Sequence, residues 1–290
     1  MGRASDRFKS GGTMDKIVSI VMPAYKAEAT IAAAVASIMA QTWPYWRLII
    51  VSDDGTNYRP LLEEAGLLNP RIAFMESGAL KAGASHARNV ALETIDTRYA
   101  AVLDADDRYK PQKLERAMAA LADHPIVTTA LDVMNDRFEH GRYVGAGEDR
   151  VLSPGEHKWV NLSMDTMIVW DRARCDARYD PDLPNMTDLD FLLKLWRTAD
   201  HCYHIGSPLH DYVKMPVSMS NGPGVAERMI AVKTRLLDRF ASGYYPLADE
   251  NGREGLQAFL SVSLEAEKHY EAALAARPGL LFEDHLEAML

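Results

Sequence analysis

The 290-residue chain has few cysteines, no long apolar run and no excess of positive charge, and each shortage excludes a class of protein. Two cysteines, Cys175 and Cys202, are too few for a disulfide scaffold. They indicate reduced thiols in a cytoplasmic protein, although a disulfide between the two stays open. No stretch of about 18 apolar residues occurs, so no transmembrane helix is predicted. The 32 Lys plus Arg against 41 Asp plus Glu give a net charge of −9, which argues against sequence-independent nucleic-acid binding.

Two glycine-rich phosphate-binding motifs are absent as well. No GxGxxG sequence follows the first predicted strand, which disfavours a dinucleotide-binding fold, and no GxxxxGK[ST] sequence occurs. Residues 1–15 are polar and lack the apolar core of a secretory signal, so we expect a flexible leader. The rest of the chain has an ordinary globular composition, with 48% hydrophobic and 25% charged residues.

Short β-branched apolar runs alternate with helical segments through the first half of the chain. We predict strands over 17–22, 46–51, 71–75 and 99–103, and helices over 28–41, 61–67, 83–95 and 111–122. Pro23 is expected to end the first strand. This alternation is typical of an α/β protein with a mostly parallel sheet flanked by helices.

The second half of the chain is less regular. Strands are predicted over 126–130 and 164–170, and a helix over 187–199. We expect a loop containing Pro208 after this helix, and two or three helices from residue 226 onward.

Polar clusters follow three of the predicted strands, at residues 24–26, 52–56 and 104–107. Ligands bind outside the carboxyl ends of the strands in sheets of this type, so we expect a ligand site there. The cluster 104–107 has three carboxylates in four residues, and their repulsion is relieved if a cation binds. Mg²⁺ or Mn²⁺ would suit these oxygen ligands. A solvated acidic turn, with Asp107 capping the next helix, is an equal alternative.

Two further segments could contact a nucleotide. Asp53 and Asp54 could accept hydrogen bonds from a base or a ribose, although Asp-Gly is also a common turn pair. The helix that starts near Gly83 begins with small residues, which let a backbone approach phosphate, and Arg88 could pair with that phosphate. The alternative for this helix is close packing on the sheet.

Five motifs, in order over residues 17–110, together resemble the amino-terminal half of the family 2 glycosyltransferases. They are residues 18–28, 37–42, 50–56, 87–89 and 103–107. The resemblance continues more loosely through 179–183, 188–191, 208–209 and 218–220, and residues 225–290 lie outside it. It implies a GT-A fold and a metal-dependent, inverting transfer of a sugar from a nucleotide-sugar donor to an acceptor hydroxyl.

The resemblance also implies roles for individual residues. Pro23, Ala24 and Tyr25 would line the nucleotide pocket, and Asp54 together with Asp53 would contact the base. Arg88 and Asp104 would lie near the donor, and Asp106 would contact the ribose. Asp106 or Asp107, in the DXD motif, would be the ligand of Mn²⁺ or Mg²⁺, and Asp188 would be the catalytic base. Asp188 and Asp190 point to nearly opposite sides of a helix at about 100° per residue. Asp190 is therefore expected to support the loop or to face solvent.

The chain departs from the family pattern at two places. Thr187 precedes Asp188 where the family usually has Glu, and residues 212–215 replace a Tyr-Arg-x-His sequence that is common in the family. Lys214 and His210 are candidates to replace the missing cation and imidazole. A catalytically silent nucleotide-sugar-binding or scaffold protein therefore stays an alternative. A nucleotidyltransferase is a second one, although residues 22–25 are not the basic, glycine-rich loop that it would need.

We predict three parts: the leader 1–15, a GT-A domain over 16–222 and a helical extension over 223–290. The domain divides into a nucleotide-binding half, 16–110, and an acceptor half, 111–222. The expected donor is UDP-linked, and by analogy the acceptor is a glycan or lipid-linked glycan of surface or exopolysaccharide synthesis. The extension is expected to pack on the enzyme, with a homodimer interface or peripheral contact at the inner face of the membrane as alternatives.

Overall fold

The computed structural model describes residues 15–157, 165–214, 224–247, 250–280 and 282–290. The predicted leader, apart from Asp15, and the predicted boundary at 222–223 lie outside these residues, as do Met215 and the matching segment 218–220.

The described strands are β1 (Val18–Ala24), β2 (Trp46–Ser52), β3 (Ile72–Glu76), β4 (Tyr99–Val102), β5 (Arg108–Tyr109), β6 (Ile126–Asn135), β7 (His140–Val144), β8 (Arg150–Leu152), β9 (Val169–Asp171) and β10 (Cys202–Lys214). The described α-helices are α1 (Ile31–Met39), α2 (Arg59–Glu64), α3 (Ala84–Thr94), α4 (Lys113–Ala120), α5 (Pro154–His157), α6 (Thr187–Leu195), α7 (Val225–Ala241), α8 (Glu250–Ala276) and α9 (Phe282–Glu287).

The strands form one sheet in the order β3-β2-β1-β4-β9-β6-β10-β5, with β7 paired to β6 and β8 paired to β10. The first four strands of this order are parallel to one another. Strand β9 is antiparallel to both of its neighbours, and β10 is parallel to β6. The predicted α/β fold is confirmed, and its parallel pairing is continuous in the amino-terminal half, where strands and helices alternate along the sequence.

Helices cover both faces of β1, and the alternation of side chains along the strand explains the burial. Val21 packs into one buried cluster, which includes Ala91 and Leu92 of α3. Ile20 and Met22 point to the other face, into a second cluster that includes residues of α1. Burying an aliphatic side chain of this size contributes roughly 1.5–3 kcal/mol. These clusters fix β1 at the centre of a three-layer structure.

Pro23 was predicted to end β1, but the strand continues to Ala24. The position of the missing N–H of Pro23 faces the side of β1 on which β4 has already ended. The backbone of Val21 faces β4, since its carbonyl accepts a hydrogen bond from the N–H of Leu103 at 3.0 Å. Pro23 faces the same way two residues later, beyond the end of β4 at Val102. It pairs with Val51 of β2 in the parallel register, so the pairing of β1 with β2 continues past the proline.

Two predictions for the second half were wrong. Pro208 lies inside the long strand β10 rather than in a loop, at a bulge where the pairing with β6 shifts register on both sides of it. The predicted strand 164–170 is instead a 3₁₀ helix, Asp165–Met167, followed by the short strand β9. Residue 164 lies outside the described residues.

The carboxy-terminal helices pack on the body of the protein. Leu236 and Phe240 of α7, and Leu256 and Leu260 of α8, are buried in the cluster that contains Trp170 of the sheet. Both cysteines, Cys175 and Cys202, are buried free thiols, so they form no disulfide with each other.

Within the described ranges, no helix has both the length and the apolar content that crossing a membrane requires.

Candidate active site

A cleft of about 780 Å³ opens where the parallel strands β1, β2 and β4 end. The predicted site residues that line it are Pro23, Ala24, Tyr25, Asp53, Arg88, Asp104, Asp106 and Asp188. Residues 81–85 before and within α3, and most of residues 181–188, complete the lining. We call residues 181–188, which lie within the predicted acceptor half, the acceptor segment. The structure therefore brings together, in one cleft, side chains that are separated by more than 160 positions in the sequence.

Asp53 ties the end of β2 to the start of α3. Its buried carboxylate accepts hydrogen bonds from the backbone N–H groups of Ala82 at 3.1 Å and Gly83 at 2.8 Å. Gly83 has a φ of +94°, a conformation that side-chain-bearing residues rarely adopt. The tight approach of the chain to Asp53 thus depends on this glycine, and it sets the position of the small residues that begin α3.

Asp54 points away from the cleft lining and is enclosed by four donors. Its carboxylate accepts hydrogen bonds from the backbone N–H groups of Lys26 at 2.5 Å and Thr56 at 2.9 Å, and from the hydroxyls of Ser52 at 3.0 Å and Tyr58 at 2.9 Å. Burial alone would raise the pKa of Asp54, but these hydrogen bonds outweigh it and lower the pKa from 3.8 to about 2. The geometry shows Asp54 holding the ends of β1 and β2 together.

Arg88, Asp104 and Asp106 form the charged floor of the cleft. Arg88 donates a hydrogen bond from Nη2 to Oδ1 of Asp104 at 2.6 Å, within an ion pair. Burial, and next the negative charge of Asp104, raise the pKa of Asp106 to about 6. A carboxylate so destabilised gains from a nearby cation, and the two aspartates provide the oxygen atoms that Mg²⁺ and Mn²⁺ prefer. The residues present therefore fit a divalent metal.

Asp107 is buried behind the cleft rather than in its lining. Its Oδ1 accepts a hydrogen bond from the backbone N–H of Val213, and its Oδ2 accepts one from Nε2 of His210, both at 2.9 Å. It does not cap the next helix either, because α4 begins at Lys113. The structure thus gives Asp107 partners within the fold, and it does not bring Asp107 to the predicted metal site.

A buried lysine completes this cluster. Lys113 donates from Nζ to the backbone carbonyls of Thr166 at 3.0 Å and Met167 at 3.4 Å, and to Nδ1 of His210 at 3.2 Å. Three acceptors match the three N–H groups of an ammonium. If neutral His210 carries its proton on Nε2, the imidazole links the amine of Lys113 to the carboxyl group of Asp107. Burial lowers the pKa of Lys113 and raises the pKa of Asp107. The imidazole predicted to serve the donor site is thus occupied inside the fold.

Asp188 lies in the first turn of α6, half-buried at the cleft. Its Oδ1 accepts a hydrogen bond from the N–H of Leu189 at 2.9 Å. Met186, just before the helix, has a φ of +53°, which turns the chain sharply into α6. The partial positive charge at a helix N-terminus favours the ionised form of a carboxylate there. Asp188 is therefore placed to accept a proton.

Asp190 is fully buried on the side of α6 away from the cleft. It forms ion pairs with Lys194 at 2.6 Å and Arg239 at 2.7 Å, and Tyr245 donates a hydrogen bond to it at 2.5 Å. Of the two alternatives predicted for Asp190, support of the loop is confirmed, and exposure of its side chain to solvent is wrong.

Tyr212, Lys26 and Lys81 also line the cleft, and of these only Lys26 falls within a polar cluster, residues 24–26, predicted to form a ligand site. Tyr212 of β10 lies among carboxylates: burial, and then the charges of Asp107, Asp104, Asp106 and Asp188, raise the pKa of its hydroxyl. Lys26 and Lys81 line the cleft with left-handed φ values of +50° and +59°. Recognising Tyr212 would have required recognising β10, which Pro208 obscured.

Comparison with known proteins identifies the family of the chain. The model of glycosyl transferase family 2 matches residues 19–164. TuaG of Bacillus subtilis, provisionally named a teichuronic acid biosynthesis glycosyltransferase, is 28% identical over 231 residues, which cover 77% of this chain and 89% of TuaG. WfgD of Escherichia coli, a UDP-Glc:alpha-D-GlcNAc-diphosphoundecaprenol beta-1,3-glucosyltransferase, is 32% identical over 132 residues, 45% of this chain and 51% of WfgD.

Solved structures agree on the fold. TarS of S. aureus, in complex with UDP-GlcNAc, superposes with a TM-score of 0.66 at 14% identity, covering 94% of this chain and 79% of TarS. The mannosyltransferase PcManGT of Pyrobaculum calidifontis, in complex with GDP-Man and Mn²⁺, gives a TM-score of 0.53 at 17% identity, covering 93% of this chain and 78% of PcManGT. Taken with the strand-end cleft and its aspartates, these matches show that the chain is a GT-A-fold enzyme that belongs to glycosyltransferase family 2.

Proposed function

We propose that the protein transfers a sugar from a UDP-linked donor to a hydroxyl of a surface or exopolysaccharide glycan, with inversion at the anomeric carbon and with the help of Mn²⁺ or Mg²⁺. One observation carries the proposal: Asp188 shares a single cleft with Asp104 and Asp106. The names of WfgD and TuaG, and the UDP-GlcNAc complex of TarS, support the donor and acceptor classes. A lipid-linked acceptor would bring the reaction to the cytoplasmic face of a membrane.

The nucleoside end of the donor would bind at the ends of β1 and β2. Tyr25 is 42% exposed and lines the cleft, so its ring is available to stack on a base. Asp53 also lines the cleft and has carboxylate oxygens that can accept from base N–H or ribose O–H groups. In this proposal Asp54 acts indirectly, by holding the turn that presents Asp53.

Asp104 and Asp106 would hold the metal beside the diphosphate. The ion supplies Lewis-acid stabilisation of the negative charge that the leaving diphosphate gains. Within the described part of the chain, no group of three or more His, Cys, Asp or Glu side chains is arranged to hold a metal ion. Diphosphate oxygens would therefore complete the coordination. Arg88 orients Asp104 through their ion pair, and the buried Asp107 anchors the same turn from behind.

Asp188 would act as the base. The acceptor oxygen forms a bond to the anomeric carbon while the bond from that carbon to the diphosphate oxygen breaks, and the acceptor proton passes to the carboxylate of Asp188. Attack from the face opposite the leaving group inverts the anomeric configuration. A free hydroxyl is a poor nucleophile at neutral pH. The ionised carboxylate of Asp188 would therefore act as the base that removes the proton of the acceptor hydroxyl.

The test is UDP release by the full chain. UDP-glucose and UDP-GlcNAc are supplied with Mn²⁺, with Mg²⁺ or with a chelator, and with or without undecaprenyl-diphosphate-linked GlcNAc as acceptor. We expect acceptor-stimulated, metal-dependent release that Asp188→Asn slows by roughly 10²–10⁴-fold. The matched control is Glu265→Gln, which removes an exposed carboxylate on α8. A silent binding protein would bind UDP in calorimetry, yet release none from any donor, and that result would refute the proposal.

A further inference from the structure

The acceptor segment is closed at its base by one side chain from the carboxy-terminal helices. Asp180 and Asp190 flank the segment, and Arg239 of α7 contacts both of them. Its Nη1 donates to Oδ1 of Asp190 at 2.7 Å, and its Nη2 donates to Oδ2 of Asp180 in a short hydrogen bond. The side chains of Arg239 and Asp180 are only 13% and 12% exposed. A single guanidinium therefore joins the two ends of a segment that lines the cleft.

A second layer of contacts closes the same base from inside. The rings of Tyr179 and Phe191, which neighbour the two aspartates in sequence, stack with centroids 4.2 Å apart and planes 4° from parallel. Lys194 donates to the backbone carbonyl of Arg178 at 3.1 Å and pairs with Asp190 at 2.6 Å. The segment is thus a loop with a fixed base and with its outer residues at the cleft.

The base of the loop is also attached to the donor side. The side chain of Asn89 donates to the backbone carbonyl of Tyr179 at 3.0 Å and accepts from its N–H at 2.9 Å. Asn89 follows Arg88 in α3, and the guanidinium of Arg88 lies 5.2 Å from the ring centroid of Tyr179. A shift of Tyr179 relative to α3 would therefore change the distance between Arg88 and the acceptor segment.

We propose that Arg239 is a positioning residue, which sets the place of Asp188 by holding Asp180 and Asp190 together. The inference rests on the proposed role of Asp188 as base. The planar guanidinium offers two donors in a fixed fork, so it fixes the separation of the carboxylates as well as neutralising them. Without it, the buried side chain of Asp190 loses a partner, and the two ends of the segment lose their direct link although Lys194 and Asn89 still contact the loop base. Misplacing a reacting group by about 1 Å can cost 10²-fold in rate.

Arg235 provides a matched comparison on the same helix. Its Nη2 lies 3.7 Å from Oδ2 of Asp180, and its Nη1 donates to the carbonyl of Asp182 at 3.0 Å. It contacts one end of the acceptor segment and makes no bond to Asp190. If joining the two ends is what matters, Arg235→Ala should have a clearly smaller effect than Arg239→Ala.

The experiment compares Arg239→Ala, Arg239→Lys and Arg235→Ala with the control Arg253→Ala, whose partner is the exposed Glu250 on α8. We expect Arg239→Ala to lower kcat for transfer by about 10–100-fold, with the donor KM and the UDP affinity within about two-fold of wild type. Arg239→Lys should restore part of kcat, because a lysine can pair with one aspartate but lacks the fork. Amide hydrogen exchange should rise in residues 181–188 and stay unchanged in β1.

An unchanged kcat in Arg239→Ala, or an equal loss of donor affinity and rate, would overturn the proposal. If Arg239→Ala does not fold, Asp180→Asn takes its place, since it removes the charge at one end of the Arg239 bridge and leaves the pair between Arg239 and Asp190 intact. Wild-type exchange and kcat in that variant would also overturn the proposal. If the wild type transfers no sugar, the proposed function fails separately. Amide exchange in residues 181–188 of Arg239→Ala then still tests whether Arg239 holds the two ends of the segment together. Exchange equal to that of the wild type would refute this role.

Discussion

The donor side of the cleft and the acceptor segment are fixed in different ways. Each donor-side aspartate follows its strand within a few residues: Asp53 comes directly after β2, and Asp104 and Asp106 come just after β4. The acceptor segment instead depends on Arg239 and Tyr245, which lie 49 and 55 positions from Asp190. Local backbone geometry therefore builds one side, and long-range ion pairs build the other.

The two sides of the cleft should therefore be sensitive to different kinds of substitution. Parallel strands share their hydrogen bonds and buried faces, so a single substitution in a strand-end turn leaves the sheet intact. A buried charge that loses its partner is costly, because no water replaces it. Substitutions of Asp104 and Asp106, which line the cleft on the donor side, should therefore change binding alone. Substitutions at the base of the acceptor segment should change rate and stability together.

The largest expected effect is on rate, at the acceptor segment. Asp188→Asn is nearly isosteric and cannot take the acceptor proton, so turnover should fall by roughly 10²–10⁴-fold while donor affinity survives. Steady-state transfer kinetics beside UDP calorimetry measure both. Retention of full transfer would place the base elsewhere.

The next effect is on stability, behind the donor side. Asp107→Asn leaves the buried Lys113 without its counter-charge, and we expect a loss of about 3–5 kcal/mol in the free energy of unfolding. The double variant Asp107→Asn/Lys113→Met should cost less than the sum of the two single changes, because the charge no longer needs a partner. Denaturant titration measures all three variants. Additive costs would mean that the cluster is not coupled.

Asp106→Asn should change binding and leave stability near wild type, in contrast to its neighbour. We expect the Mn²⁺-dependent part of UDP affinity to fall by about 10–100-fold, the range seen when support of a metal site is removed. Calorimetry with Mn²⁺ and with chelator separates this part from nucleotide binding alone. If Asp107→Asn loses the metal dependence and Asp106→Asn keeps it, the assignment of the two aspartates is reversed.

The smallest effect is at Asp54, and it depends on pH. Asp54→Asn should cost about 1–3 kcal/mol in stability at pH 7, since it weakens four hydrogen bonds to a charged acceptor. The folded pKa, about 2, lies below the ordinary value of 3.8. The stabilisation is therefore complete above about pH 5 and is lost progressively as the pH falls toward 2. Unfolding curves at pH 7, 4 and 3 should show the variant and wild type converging. Asp53→Ala, by contrast, should weaken UDP binding.

Much of the donor side could be predicted from the sequence. Strand ends are marked by apolar runs that stop at polar residues, and parallel strands put their carboxyl ends at one edge. Which of two adjacent aspartates faces the cleft could not be predicted, because a turn has no fixed side-chain period. Asp54 and Asp107 show this, since their partners Lys26 and His210 come from other elements.

The acceptor segment could be predicted only in part. Helical periodicity separated Asp188 from Asp190, because residues two apart on a helix point in different directions. The partners of Asp190 lie in α7 and beyond it, and nothing local to either residue links them. Strand β10 was missed for a similar reason: its bulge at Pro208 is stabilised by pairing with β6, which is a property of the sheet rather than of the segment.

The ion pair between Arg239 and Asp190 also bears on how this enzyme can be shortened. A truncation after residue 222 would keep every predicted catalytic residue and would look like removal of an appendage. It would also remove Arg239 and Tyr245, and it would uncover the side chains that pack against α7 and α8. We therefore expect the shortened chain to lose stability and transfer activity together, although every predicted catalytic residue is still present.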